Sequence, residues 1–127
     1  MIISIGIDII EVSRVLKVLQ RTPRFIERVF TDGERAYCDA RGSLKVAAKH
    51  YAARFAAKEA ALKALGTGWR GGLSWQDVEI LSKETGAPSI NFHNVARELF
   101  RQSGANRAHL TLSHTSEHAI AQVILEQ

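Results

Sequence analysis

The chain is short of several things, and each shortage excludes something. It holds one cysteine, Cys38. No internal disulfide can form, which fits a reducing, cytoplasmic setting. No apolar run approaches the ~20 residues of a membrane span. The opening MIISIGIDII is interrupted by Asp8 and lacks a basic n-region and a small-residue cleavage site, so it reads as neither anchor nor signal peptide. Aromatics make up 7% of the residues, and no RNP, zinc or helix-turn-helix signature accompanies them, which argues against a nucleic-acid binder. There is no repeat, low-complexity tract or linker. The 127 residues are read as one domain, 1–127, long enough to bury a core without staples.

What the chain does have is positive charge. The net charge is +4 and the sequence pI about 9.6. Such a balance calls for a polyanionic partner: nucleic acid, a phosphate-bearing cofactor or an acidic protein.

Isoleucine-rich residues 2–12 predict a central strand. Ser13 is a candidate cap for a helix carrying Val15, Leu16 and Leu19. Pro23 ends that helix or starts the next, over 24–30. Thr31 and Glu34 fit a capping box for a short helix to about Ala40. A long helix is predicted from Ser43 to Leu65, stopped by Gly66 and Gly68. After a glycine-rich loop, GTGWRGGL, come a strand in WQDVEILSK, a turn in ETGAP and a strand in SINFH. A short helix over 94–103 and two strands, AHLTLSHT and AIAQVILE, complete the order. Helices first and strands later predict an α+β fold with mainly antiparallel sheet against a long central helix.

The long helix poses a chemical question. At ~100° per residue, Tyr51, Phe55, Leu62 and Leu65 make one bulky apolar face and six alanines between 53 and 64 make a second. Glu59 and Lys63 share the strip between them, and Lys58 projects near the bulky face. A helical Glu–Lys pair on a wet surface contributes about 0.3–0.5 kcal/mol and needs no further role. Apolar flanks make that reading weaker, because unpaired charge is costly to bury. Asp8 is equally out of place, since aspartate is depleted in strands. It is either an edge or strand-end residue or a metal ligand. Mg²⁺ takes one or two carboxylates and completes its shell with water and phosphates, which Asp8 and Glu59 match. Arg54, Lys58 and Lys63 are then candidates for phosphate oxygens, with backbone N–H groups of GTG beside them.

A second feature is the basic segment 14–28. Arg14, Lys17, Arg21, Arg24 and Arg28 stand against Glu27 alone, a surplus equal to the net charge of the whole chain. It is either a solvated face or a surface that steers an acidic partner.

With GIDIIEVSR (6–14), RVFTDGERAYC (28–38), RFAAKEAALKALGTG (54–68), WQDVEI…GAP (75–88) and LTLSHT (110–115) in view, the chain resembles the holo-acyl-carrier-protein synthases. These are the short-chain 4'-phosphopantetheinyl transferases. The resemblance covers nearly the whole chain. It implies transfer of 4'-phosphopantetheine from coenzyme A to a serine of apo acyl carrier protein, releasing adenosine 3',5'-bisphosphate, with Mg²⁺ required and fatty acid biosynthesis served. It implies Asp8 and Glu59 as Mg²⁺ ligands, and Lys63 beside the pyrophosphate or the leaving group. His114 becomes a substrate-site residue near the nucleotide, with Glu59, a metal-bound water or His114 as the serine's base. Arg54 and Lys58 resemble phosphate contacts, Lys45 and Lys49 are candidates for the 3'-phosphate, and Gly66 and Pro88 shape the nucleotide pocket. Acyl carrier proteins are acidic, so Arg14, Lys17, Arg21 and Arg24, with Phe25 for apolar contact, are the expected docking residues. A homotrimer with sites at subunit interfaces is also implied. GAP at 86–88 stands where the family often has GKP, which removes one peripheral cation. An inactive family member would have lost a metal ligand or the lysine; neither is lost. The other four histidines, His50, His93, His109 and His118, gain no role from the resemblance.

Overall fold

The computed structural model describes residues 1–66, 68 and 71–127. Thr67, Trp69 and Arg70 of the expected glycine-rich loop lie outside the described residues, and with them the middle of the GTG anion-binding expectation. The elements run β1 (Ile2–Glu11), α1 (Val12–Arg21), α2 (Pro23–Val29), α3 (Asp32–Asp39) and α4 (Leu44–Leu65). After a 3-10 turn (Trp75–Asp77) come β2 (Val78–Ser82), β3 (Pro88–Phe92), α5 (Asn94–Gln102), β4 (Arg107–His114) and β5 (His118–Glu126). All strand pairings are antiparallel, in a three-stranded sheet of order β1-β5-β4 and a two-stranded β2-β3 hairpin.

Most of the predicted boundaries follow from capping chemistry. Ser43 Oγ accepts from Val46 N at the start of α4, and Gly66 ends it in the left-handed region, at φ 75°. Thr31 and Glu34 form both bonds of their capping box. Three expectations are corrected. The central strand is β5, and β1 lies at the sheet edge. Ser13 caps nothing: α1 begins one residue earlier, where Val12 N donates to Glu117 O at 2.8 Å. Trp75–Asp77 is not strand, because Ser74 and Asp77 close a capping box of their own.

The alanine-rich helix α4 is buried on two sides, as its composition predicts. Toward the three-stranded sheet, Ala60 and Ala64 meet β1 so closely that a Cβ on Gly6 would lie 1.9 Å from Ala60 O. This fixes glycine at position 6. On another side Tyr51 packs with Ile26, Val29, Phe30 and Cys38 from the preceding helices. Leu62 and Leu65 belong to the main core instead, with Val78, Ile80, Val123 and Leu125. Burial pushes the Cys38 thiol up to about 12, so it behaves as a small apolar group.

Candidate active site

Gly6 and Asp8 pair with Val123 and Ala121, both buried, so they share the sheet face that packs on α4. This brings Asp8 to the same cavity as Glu59, a groove of about 500 Å³. Asp8 Oδ1 accepts from Lys63 Nζ at 3.1 Å, and Lys63 also donates to Ile7 O at 2.9 Å. Asp8 Oδ2 is buried and has no hydrogen-bond partner among the described residues. Burial, and then the neighbouring charge of Asp8, hold the Glu59 carboxyl above its ordinary range, while Lys63 partly offsets them. The Glu59–Lys63 helix pair does not form. Lys63 crosses to β1 instead, and Glu59 makes no ion pair among the described residues. Two carboxylates thus meet with too little positive charge between them. An orphaned carboxylate oxygen in that setting fits a hard divalent cation, which accepts two carboxylates and leaves the rest of its shell to water and phosphate. No group of three or more potential metal-ligating side chains occurs among the described residues.

Lys58 is placed differently from expectation. It is 0% exposed. Its Nζ pairs with Glu34 Oε1 at 2.9 Å and donates to Trp75 O at 3.0 Å and Val78 O at 2.5 Å. These three bonds use every N–H of an ammonium, leaving none for a phosphate. Burial lowers its pKa and Glu34 works against that shift. Glu34 is saturated as well, accepting from Thr31 N and Ile80 N at 2.8 Å each. Its signal in sequence was the capping box alone; that the same carboxylate neutralises Lys58 is a tertiary fact.

Arg54 does face a polar cluster. Its guanidinium lies 3.9 Å from the centre of the Tyr37 ring, and Nη2 donates to Ser82 Oγ. Ser82 is the β2 partner of Pro88, so that proline stands at the rim of the cluster. Arg54 is only 3% exposed, yet among the described residues its Nε is unpartnered and no carboxylate pairs with it. His114, at the end of β4, reaches the cluster through His50, their rings 5.3 Å apart. Tyr37, Ser82 and His50 were not singled out in the sequence, where nothing local marks them. Lys45 and Lys49 line a separate cavity with Glu11, Glu117 and His118. Gly66 serves as the C-cap of α4.

The acid groove is also bounded by Arg14, Phe25 and Phe55. Arg14, Lys17, Arg21, Arg24 and Arg28 are all exposed, and none has an ion-pair partner among the described residues. The basic segment is therefore an open surface whose first residue lines the same groove as the acid pair.

Comparison with known proteins identifies the family. The family model of the 4'-phosphopantetheinyl transferase superfamily matches residues 4–123. A holo-[acyl-carrier-protein] synthase of Koribacter versatilis is 46% identical over 127 residues, covering 99% of each chain. One from Anaeromyxobacter dehalogenans is 48% identical over 130 residues, covering 99% of this chain and 97% of its own. The fold superposes on a Bacillus anthracis holo-(acyl-carrier-protein) synthase in complex with CoA (3',5'-ADP). Its TM-score is 0.82 and its identity 37%, over 100% of this chain and 98% of that one. The Helicobacter pylori enzyme in complex with coenzyme A gives a TM-score of 0.80 at 30% identity, over 96% of this chain and 99% of that one. The chain belongs to the 4'-phosphopantetheinyl transferase superfamily, among its holo-[acyl-carrier-protein] synthases.

Proposed function

We propose that this chain transfers the 4'-phosphopantetheine group of coenzyme A to a serine of apo acyl carrier protein, releasing adenosine 3',5'-bisphosphate. The observation that carries this reading is the Asp8–Glu59 pair, with its orphaned Oδ2, opening into a groove rimmed by Arg14. Asp8 and Glu59 are the residues that would hold Mg²⁺. The ion supplies charge stabilisation on the phosphate under attack. Lys63, half exposed and anchored on Asp8 and Ile7, holds an ammonium beside that phosphate and can give a proton to the leaving group. Glu59, in the same groove as Arg14, is a candidate to accept the serine proton. Arg54 and His114 bind the nucleotide end, with Pro88 at its rim; Lys45 and Lys49 serve its periphery.

The basic surface over Arg14, Lys17, Arg21 and Arg24 steers the acidic carrier, and Phe25 in the groove gives it an apolar foothold. Self-association is supported by β1. Ile5, Ile7 and Ile9 are 53%, 51% and 60% exposed, and Ile120 lies on the same sheet face. Such a face in a chain of this size calls for a covering partner. A homotrimer with shared sites, as the resemblance implies, provides one. Equilibrium sedimentation checks it, with Ile7→Lys expected to give monomer. No helix among the described residues is long and apolar enough to cross a membrane, and the buried Cys38 thiol suits a cytoplasmic setting.

The test of the whole reading is to incubate the protein with coenzyme A, Mg²⁺ and apo acyl carrier protein and weigh the carrier. A gain of one phosphopantetheine, lost with EDTA, is expected. A carrier of unchanged mass beside folded protein would sink the transferase reading.

A further inference from the structure

Helix α2 ends because its hydrogen-bond ladder is diverted. Thr31 N, which would continue the ladder to Glu27 O, is taken instead by Glu34 Oε1 at 2.8 Å, in the capping box of α3. Glu27 O is thereby left without a helical donor, and two side chains from other elements take it up. Arg35 Nη1 donates to Glu27 O at 3.2 Å and to Phe30 O at 2.6 Å. Gln76 Nε2 donates to the same two oxygens, at 2.7 Å and 3.1 Å. Both acceptors are carbonyls, so the amide can present only its nitrogen to them.

The two donors differ in origin. Arg35 belongs to α3, which follows α2 directly in the chain. Gln76 comes from the 3-10 turn Trp75–Asp77, distant in sequence and itself firmly held. Ser74 and Asp77 close the capping box of that turn, Asn94 Nδ2 donates to Asp77 Oδ1 at 3.1 Å, and Lys58 Nζ donates to Trp75 O at 3.0 Å. Lys58 stands immediately before Glu59 on α4. A continuous path of bonds therefore runs from the helix of the acid pair, through the turn, to the end of α2.

The other end of α2 has no such tie, since its N-cap, Thr22, makes no side-chain bond. A helix of seven residues is too short to hold itself. Ile26 and Val29 bury one side of it against Tyr51, Arg24 and Arg28 stay exposed, and Phe25 lines the acid groove. The aim of the exposed side is thus set largely from the C-terminal end.

We propose that Gln76 is a positioning residue for the carrier protein: its two donated bonds hold α2 at a fixed angle to α4, so that Arg24 and Phe25 bring the carrier to the acid groove. Gln76 does not touch the carrier or the reacting atoms. The proposal rests on the reading of α1 and α2 as the carrier's docking surface.

The experiment compares Gln76→Met, which keeps the length of the side chain and removes both donations, with the unmodified protein. The KM for apo acyl carrier protein should rise about fivefold, and the KM for coenzyme A should stay within about twofold. No charge changes, so the salt dependence of the carrier KM should keep its slope. A variant that was merely unstable would lose active molecules, lowering kcat and leaving both KM values in place. An unmoved carrier KM, or an equal rise in both KM values, would overturn the proposal. Fluorescence anisotropy of labelled apo carrier gives a readout that needs no turnover, with its Kd expected to rise by a similar factor in Gln76→Met. An equal Kd in the two proteins would overturn the positioning role. A carrier that binds and never gains mass would instead remove the transferase reading.

Discussion

Helix α4 carries two lysines paired with acids from other elements, and the pairs have opposite characters. Lys58 and Glu34 are both 0% exposed, and every bond the ammonium can make is made. Lys63 and Asp8 are 54% and 16% exposed, and one carboxylate oxygen is left over. The first pair is closed: it ties α4 to α3 and to the start of β2, and removing one partner strands a charge. The second is open, with unspent capacity facing a groove. Chemistry needs the open kind, because a saturated group has nothing to offer a substrate.

Breaking the open pair should give the largest effect on activity. Asp8→Ala or Glu59→Ala should reduce carrier modification by roughly 10³-fold or more, measured as initial rates by mass spectrometry, with the circular dichroism spectrum unchanged. Breaking the closed pair should act on stability. Lys58→Met should cost about 3–5 kcal/mol in urea unfolding, and adding Glu34→Gln should restore part of it by removing the stranded charge. Lys63→Met should separate the pairs most clearly, with kcat falling roughly 10²-fold and the urea midpoint barely moving. Arg14→Glu should raise the KM for acyl carrier protein by about tenfold and flatten its salt dependence, with the KM for coenzyme A unchanged.

The smallest effect concerns the metal-free protein. Burial and Asp8 raise the Glu59 pKa, so the folded state disfavours its ionised form. That penalty is full above the raised titration and disappears as pH falls below the ordinary value of 4.5. Glu59→Gln should therefore raise the melting temperature by roughly a few degrees at neutral pH, with the gain vanishing in acid. If Asp8 and Glu59 hold Mg²⁺ as proposed, added Mg²⁺ should raise the melting temperature of the unmodified protein and leave that of Glu59→Gln nearly unchanged.

Much of this was legible before the fold was known, for reasons that differ by residue. Asp8 stood out because a carboxylate in an isoleucine-rich strand breaks the local rule. The limits of α3 and α4 were legible because capping is local. Lys58 was misplaced because its angular position on α4 gave its direction and not its destination. Its partner, Glu34, already had a local role in the capping box. The ring contacts of His50 were not legible because its neighbours, Tyr37 and His114, come from α3 and β4. The edge position of β1 was hidden for a similar reason: strand composition reports burial, and the exposed isoleucines of β1 mimic a central strand.

The contact at Gly6 has a bearing on mechanical tolerance. Strand and helix touch there through their main chains, with Asp8 two residues along one and Glu59 next to Ala60 on the other. The acids therefore hang on short arms from a shared pivot. Thermal wobble of the sheet against the helix grows with distance from such a pivot, and neither acid is far from it. The gap between the two acids is thus gauged by peptide units in contact, and a side chain at position 6 is the substitution that would pry it open.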